Sequence, residues 1–115
     1  MALSSEWIGV DLDGTLAAFI KVDQYTGDPD QIGEPVIPML NRVKDWLAQG
    51  RKVKIFTARA ENPERIPPIK EWLVGIGLPP LEVTNVKDSG MVELWDDRCY
   101  RVKRNKGTID NGAIE

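Results

Sequence analysis

The stretch Trp7-Ile8-Gly9-Val10-Asp11-Leu12-Asp13-Gly14-Thr15-Leu16 decides how the rest of this chain is read. Trp7 to Leu12 is a short apolar run, β-branched in part, and reads as a buried strand; Asp13-Gly14 marks a tight turn after it. Asp11 and Asp13 lie two apart, so while the chain stays extended both side chains project to one side and Leu12 points away. Two carboxylates held close cannot both ionise cheaply. One can therefore serve as nucleophile and metal ligand while its neighbour keeps a proton for a leaving group. Gly14 lets the backbone turn sharply and approach an oxyanion closely.

Working outward, residues 17–34 are rich in Gly, Asp and Pro and read as a loop or small hairpin, a candidate flap carrying Lys21, Asp23 and Tyr25. From Pro35 the apolar positions recur at helical spacing, which predicts a first helix over Pro35 to Gln49 with Gly50 just past its end. Val53 to Thr57 reads as a second strand and Pro63 to Ile76 as a second helix, with Pro67 and Pro68 delaying its regular part. Leu81 to Val86 and Met91 to Trp95 read as the third and fourth strands, and Tyr100 to Lys103 as a candidate fifth at the edge. Trp7, Trp46, Trp72 and Trp95 fall at periodic positions and read as core. Strands alternating with helices predict an α/β fold: a Rossmann-like, mostly parallel sheet flanked by helices, with a site at the strands' carboxyl ends. The expectation is a single domain over 1–115, with its core at about 7–103 and a basic stretch at about 101–115.

Composition narrows the chemistry. The chain has 115 residues, no histidine and one cysteine, Cys99. That excludes a Ser-His-Asp triad, a histidine base, a histidine-containing zinc site, an intrachain disulfide and a four-cysteine metal site. A metal held by carboxylates, carbonyls and water is a hard cation such as Mg²⁺. The formal charge of −3 argues against a nucleic-acid module. The run Arg101 to Lys106 reads as a solvated edge and tail. No apolar run is long enough to span a bilayer and no signal-peptide pattern opens the chain, so the expected location is cytoplasmic, with Cys99 reduced.

The predicted strand tips place Asp11 and Asp13 after the first strand, Thr57 and Arg59 after the second, Lys87 beyond the third, and Asp96, Asp97 and Arg98 after the fourth. Asp96 supplies a further hard oxygen, Thr57 a hydroxyl, and Lys87 a charge that can neutralise an aspartyl-phosphate. Arg59 and Arg98 sit at the same rim and read as solvated partners of Glu61 or Asp97. Lys54 or Lys103 would contest the role of Lys87 if the third strand were misplaced.

A hydrophobic strand with Asp11-Leu12-Asp13-Gly14-Thr15-Leu16, a strand with Thr57, then Lys87, then a strand with Asp96-Asp97 resembles the haloacid dehalogenase-like phosphohydrolase superfamily in its motifs and their order. The resemblance spans roughly residues 7 to 103. It implies a Mg²⁺-dependent phosphomonoesterase in which Asp11 is the nucleophile that becomes phosphorylated. Asp13 would be general acid and then general base, lending its backbone carbonyl to the metal. Thr57 would bind the transferring phosphoryl group, Lys87 would hold it in register with Asp11, and Asp96 would complete the metal site formed with Asp11 and Asp13. Adjacent residues on a strand face opposite ways, so of Asp96 and Asp97 only one is expected to reach the metal, with Asp97 the candidate for a supporting role behind it.

The 46 positions between Asp11 and Thr57 and the 30 between Thr57 and Lys87 leave no room for the cap domain usual in that superfamily. The expected substrate is a small phosphorylated metabolite such as a nucleotide or sugar phosphate. A phosphorylated nucleic-acid end is the alternative that the open site and basic tail suggest. A receiver-like signalling domain has a similar inventory, but its acidic pair would come first in the chain. Oligomeric state stays open, with assembly of copies over the uncapped site as a working hypothesis.

Overall fold

The computed structural model describes residues 5–110. Four parallel strands form one sheet: β1 (Trp7–Val10), β2 (Val53–Phe56), β3 (Val83–Thr84) and β4 (Met91–Trp95). Helix α1 (Ile37–Ala48) links β1 to β2, and α2 (Ile66–Gly75) links β2 to β3. The spatial order β3-β2-β1-β4 makes this an α/β, Rossmann-like parallel-sheet arrangement. Successive connections run outward from β1 to β3, and the chain then returns to the far side of β1. The order therefore reverses between β1 and β4, and that is where the strand ends open a crevice in sheets of this kind.

Alternation along the strands explains the layers. Ile8, Val10, Val53 and Ile55 join Leu40 and Val43 of α1 and Ile69 and Leu73 of α2 in one continuous buried core. Trp7, Lys54 and Phe56 alternate to the other face. There the Trp7 and Phe56 rings lie 6.5 Å apart and the Lys54 ammonium sits 4.5 Å over the Trp7 ring. Only Asn85–Gly90 is left to carry the chain from β3 to β4, too few residues for a helix. This link is fastened by the Trp7 indole, which donates to Asp88 Oδ1 at 2.8 Å, and by Trp7 N donating to the Gly90 carbonyl at 2.8 Å. The indole bond, followed by the Gly90 N–H, holds the Asp88 carboxyl below its usual range.

The regular part of α2 is delayed to Ile66, as read, and Pro67 sits in its first turn, where a proline lacks only a donor that the turn leaves unused. A separate 3-10 turn, Pro63–Arg65, precedes it. Several local features depart from the sequence reading. The expected third strand, Leu81 to Val86, contracts to Val83–Thr84. No fifth strand forms at Tyr100 to Lys103. Val102 instead makes a single antiparallel bridge to Ile109 across a turn in which Asn105 and Gly107 take positive φ, so this segment finds its partner locally. Trp95 packs on Trp46, with ring centroids 5.2 Å apart, and joins the core side of the sheet. No helix among the described residues is long and apolar enough to cross a membrane.

Candidate active site

Register brings the site together. Val10 pairs with Trp95 on one side and with Ile55 on the other, so Asp11 emerges level with Asp96 and one step before Thr57. Asp11 N still donates to the Trp95 carbonyl at 2.9 Å, which carries the β1–β4 pairing to the last residue before the turn. The chain then folds back on itself. Thr15, Leu16 and Ala17 N–H groups all return to the Leu12 carbonyl, and Gly14 N donates to the Ala17 carbonyl at 2.7 Å. Leu12, Leu16 and Ala17 are fully buried, and they anchor a turn whose polar residues face out.

Gly14 has φ +88°, and a Cβ on it would lie 2.5 Å from Asp97 Oδ2 and 2.6 Å from Phe19 Cε2. The position thus needs glycine for conformation and for space, since the backbone must pass close under both side chains.

Asp11, Asp96 and Asp97 each bring a carboxylate oxygen within 4.8 Å of the others. The expectation that Asp96 and Asp97 face opposite ways presumed a strand. Here β4 stops at Trp95, and both aspartates lie in the turn beyond it. Asp96 Oδ1 accepts from Arg98 N at 2.8 Å. The Thr15 hydroxyl sits between the other two, 3.3 Å from Asp11 Oδ2 and 3.4 Å from Asp97 Oδ1. Burial, helped by a hydrogen bond to Asp97 and by the charges of Asp96 and Asp97, pushes the Asp11 pKa up to about 7.

Asp13 is oriented away from this cluster. Arg59 grips its carboxylate in a bidentate pair, Nε to Oδ2 and Nη2 to Oδ1, both at 2.8 Å. The same guanidinium donates to the carbonyls of Gln31 at 2.9 Å and Pro29 at 3.3 Å. Arg59 is therefore a partly buried clasp joining the β1 turn, the β2 tip and the 17–34 loop, rather than a solvated partner of Glu61 or Asp97. Sequence gave no signal for it, because Asp13 and Arg59 are 46 positions apart and meet only through the β1–β2 register. Thr15 likewise went unrecognised as a link between the two acids.

Thr57 is buried, at 4% exposure. Its N–H continues the ladder to the Thr84 carbonyl at 2.9 Å, and its Oγ1 accepts from Arg59 N at 3.2 Å, capping the 3-10 turn Ala58–Glu61. That bond uses a lone pair of the hydroxyl, which also carries a proton of its own to donate. Phe56 pairs with Thr84, so Thr57 stands level with Asn85, and it is Asn85 that lines the cleft from the β3 side. Lys87 lies two residues further along, exposed and outside that lining. Lys54 is buried mid-strand with its ammonium 3.1 Å from Glu82 Oε2, and Lys103 lies in the C-terminal turn. Among the described residues, the cations lining the cleft are Arg59 and Arg98.

The cleft has a volume of about 670 Å³ and extends from Asp11, Asp13, Thr57 and Asp96 to Phe19 and Tyr25 of the loop. Fold and cleft together define an α/β protein with an acidic cluster at the switch point of its sheet. No family model, curated protein or solved structure matches the chain.

Proposed function

We propose that the protein is a Mg²⁺-dependent phosphomonoesterase that works through an aspartyl-phosphate on Asp11. The observation that carries this reading is the convergence of Asp11, Asp96 and Asp97 beside Thr57 at adjoining strand ends. Three carboxylates so close repel one another, and that repulsion adds to burial, the larger cause, in raising the pKa of Asp11. Hard anionic oxygens in this number suit Mg²⁺, which Asp11, Asp96 and Asp97 would hold, with the Asp13 carbonyl as a further donor. The bound cation would neutralise charge on the phosphoryl oxygens.

The remaining chemistry belongs to the chain. An Asp11 oxygen forms a bond to phosphorus while the ester P–O bond breaks, its electron pair leaving with the alcohol oxygen, which takes a proton from Asp13. Asp13 must first let go of Arg59 to carry that proton. A water molecule then attacks the phosphorus and gives its proton to Asp13. The Asp11–phosphorus bond breaks, releasing inorganic phosphate and restoring both carboxyl groups. The Thr57 hydroxyl supports the transferring phosphoryl oxygens, and Lys87 would have to swing in from its exposed position to reach them.

The test is hydrolysis of ribose 5-phosphate and of a generic aryl phosphate with and without Mg²⁺, in the wild type, Asp11→Asn and Asp13→Asn. Metal-dependent turnover lost in both variants is expected. Turnover that survives Asp11→Asn contradicts the reading, and stable labelling of Asp11 without turnover replaces the hydrolase by a receiver-like domain.

A further inference from the structure

The 17–34 loop is exposed along most of its length, yet its backbone is tied down at many points. Its ends are joined by Ala18 N to the Glu34 carbonyl at 2.8 Å and Val36 N to the Leu16 carbonyl at 2.7 Å. Inside it, Gln31 Oε1 accepts from Thr26 N at 2.8 Å and from the Thr26 hydroxyl at 3.0 Å, while Gln31 Nε2 donates to the Gln24 carbonyl at 3.1 Å. Arg59 fastens the same stretch to the β2 tip through Pro29 and Gln31. A loop held this firmly presents its side chains from a fixed backbone.

Those positions are unusual. Phe19 and Tyr25 are 57% and 52% exposed, and neither belongs to the hydrophobic core. Both line the cleft that holds Asp11, with Ile20 between them in sequence, and the Arg98 guanidinium stands 6.0 Å over the Phe19 ring. Tyr25 and Ile20 also line an adjoining hollow of about 420 Å³ beyond Arg59. Rings left about half exposed give up much of the free energy that burial would supply, so a tied loop that presents two of them at the mouth of a polar site points to a ligand surface.

We infer that Phe19 and Tyr25 form a subsite for a planar heteroaromatic ring on the leaving group, so that the substrate is a nucleoside monophosphate. This rests on the phosphomonoesterase reading and adds the substrate class to it. The phosphate end meets the Asp11 side of the cleft and the base lies against the aromatic rim, where Arg98 and Phe19 offer a cation and a π-face. The cleft volume is within the range that encloses a ligand of this size. A free mononucleotide fits better than a strand terminus. Glu61 lines the cleft and Asp23, Asp28 and Asp30 stud the loop, so additional backbone phosphates would meet carboxylates.

The experiment compares kcat/KM for adenosine 5′-monophosphate, ribose 5-phosphate and a 5′-phosphorylated oligonucleotide. In parallel, calorimetry follows binding of adenosine 5′-monophosphate and ribose 5-phosphate to Asp11→Asn. The mononucleotide should exceed ribose 5-phosphate by about tenfold or more, the size expected for one stacked base. That ratio should fall toward one in Phe19→Ala and Tyr25→Ala and be kept in Tyr25→Phe, which retains the ring. Equal turnover of the mononucleotide and ribose 5-phosphate overturns the subsite while leaving the phosphomonoesterase intact. Faster turnover of the oligonucleotide overturns the choice of a free mononucleotide. If nothing is hydrolysed, the phosphomonoesterase reading fails, and tighter binding of adenosine 5′-monophosphate than of ribose 5-phosphate would still uphold the ring subsite; equal binding would overturn it.

Discussion

The turn after β1 and the link after β3 both follow strands of the same sheet, and the chain treats them differently. The first turn hangs on Leu12, Leu16 and Ala17, all fully buried, and returns its N–H groups to one carbonyl. The second consists of exposed residues from Asn85 to Ser89, held mainly by Asp88 through Trp7. Buried apolar residues that alternate with acidic ones fix where the acids point. Where the flanking residues are solvated, as at Lys87, the sequence position sets a neighbourhood and no more.

The largest expected effect of breaking this contrast is in the core of the first turn. Leu12→Ala should cost about 3 kcal/mol, as a cavity-forming change at a site with no exposure, and should remove the acidic cluster together with stability. Denaturant unfolding measures it, and Val86→Ala in the other link, at 60% exposure, should stay within about 0.5 kcal/mol of the wild type.

Next in size is the cost of the carboxylates themselves. The folded-state pKa of Asp11 is raised from 3.8 to about 7, so its contribution to stability is full below the unfolded value and is lost as pH rises through about 7. The side chain is half-exposed, and solvent screening reduces that loss to on the order of 1–2 kcal/mol. Thermal unfolding in chelator should show the fall. Asp11→Asn should flatten it, and Mg²⁺ should offset it with an affinity that rises with pH over the same range.

Much of this architecture was legible in the sequence, for identifiable reasons. β4 runs Met91–Trp95, as its apolar run bounded by Gly90 and Asp96 indicates, and α1 forms where its apolar spacing places it but runs Ile37–Ala48, with Pro38 rather than Pro35 in its first turn. The strand tips carry Asp11, Thr57 and Asp96 to one cleft because parallel strands in register end at one rim. What stayed hidden depends on long-range or local alternatives. The Asp13–Arg59 clasp needs the β1–β2 register, and the shared Thr15 hydroxyl needs the conformation of the turn. Tyr100 to Lys103 had strand-like residues, but a nearby turn offered them a partner without the sheet.

An effect of comparable size is expected from opening the clasp. Arg59→Ala leaves Asp13 without its bidentate partner and the carbonyls of Pro29 and Gln31 without their donor. The loss should be about 1–2 kcal/mol, and limited proteolysis should find the 17–34 loop cut sooner. Smallest of all in stability is Lys87→Ala, expected within about 0.5 kcal/mol of the wild type by denaturant unfolding. On the phosphomonoesterase reading, turnover should in contrast drop steeply in this variant. A variant that keeps full activity would show that Arg59 or Arg98 neutralises the phosphoryl group instead.

The central claim is that Asp11 is the atom-bearing nucleophile at the sheet's switch point, and the most direct measurement is to trap it. Protein mixed with Mg²⁺ and a phosphomonoester, quenched in acid during turnover and digested, should yield the peptide bearing Asp11 with one added phosphoryl group that hydroxylamine removes, and Asp11→Asn should yield none. A phosphoryl group on any other residue, or turnover with the solvent water attacking the substrate directly and Asp11 unmodified, would contradict the account.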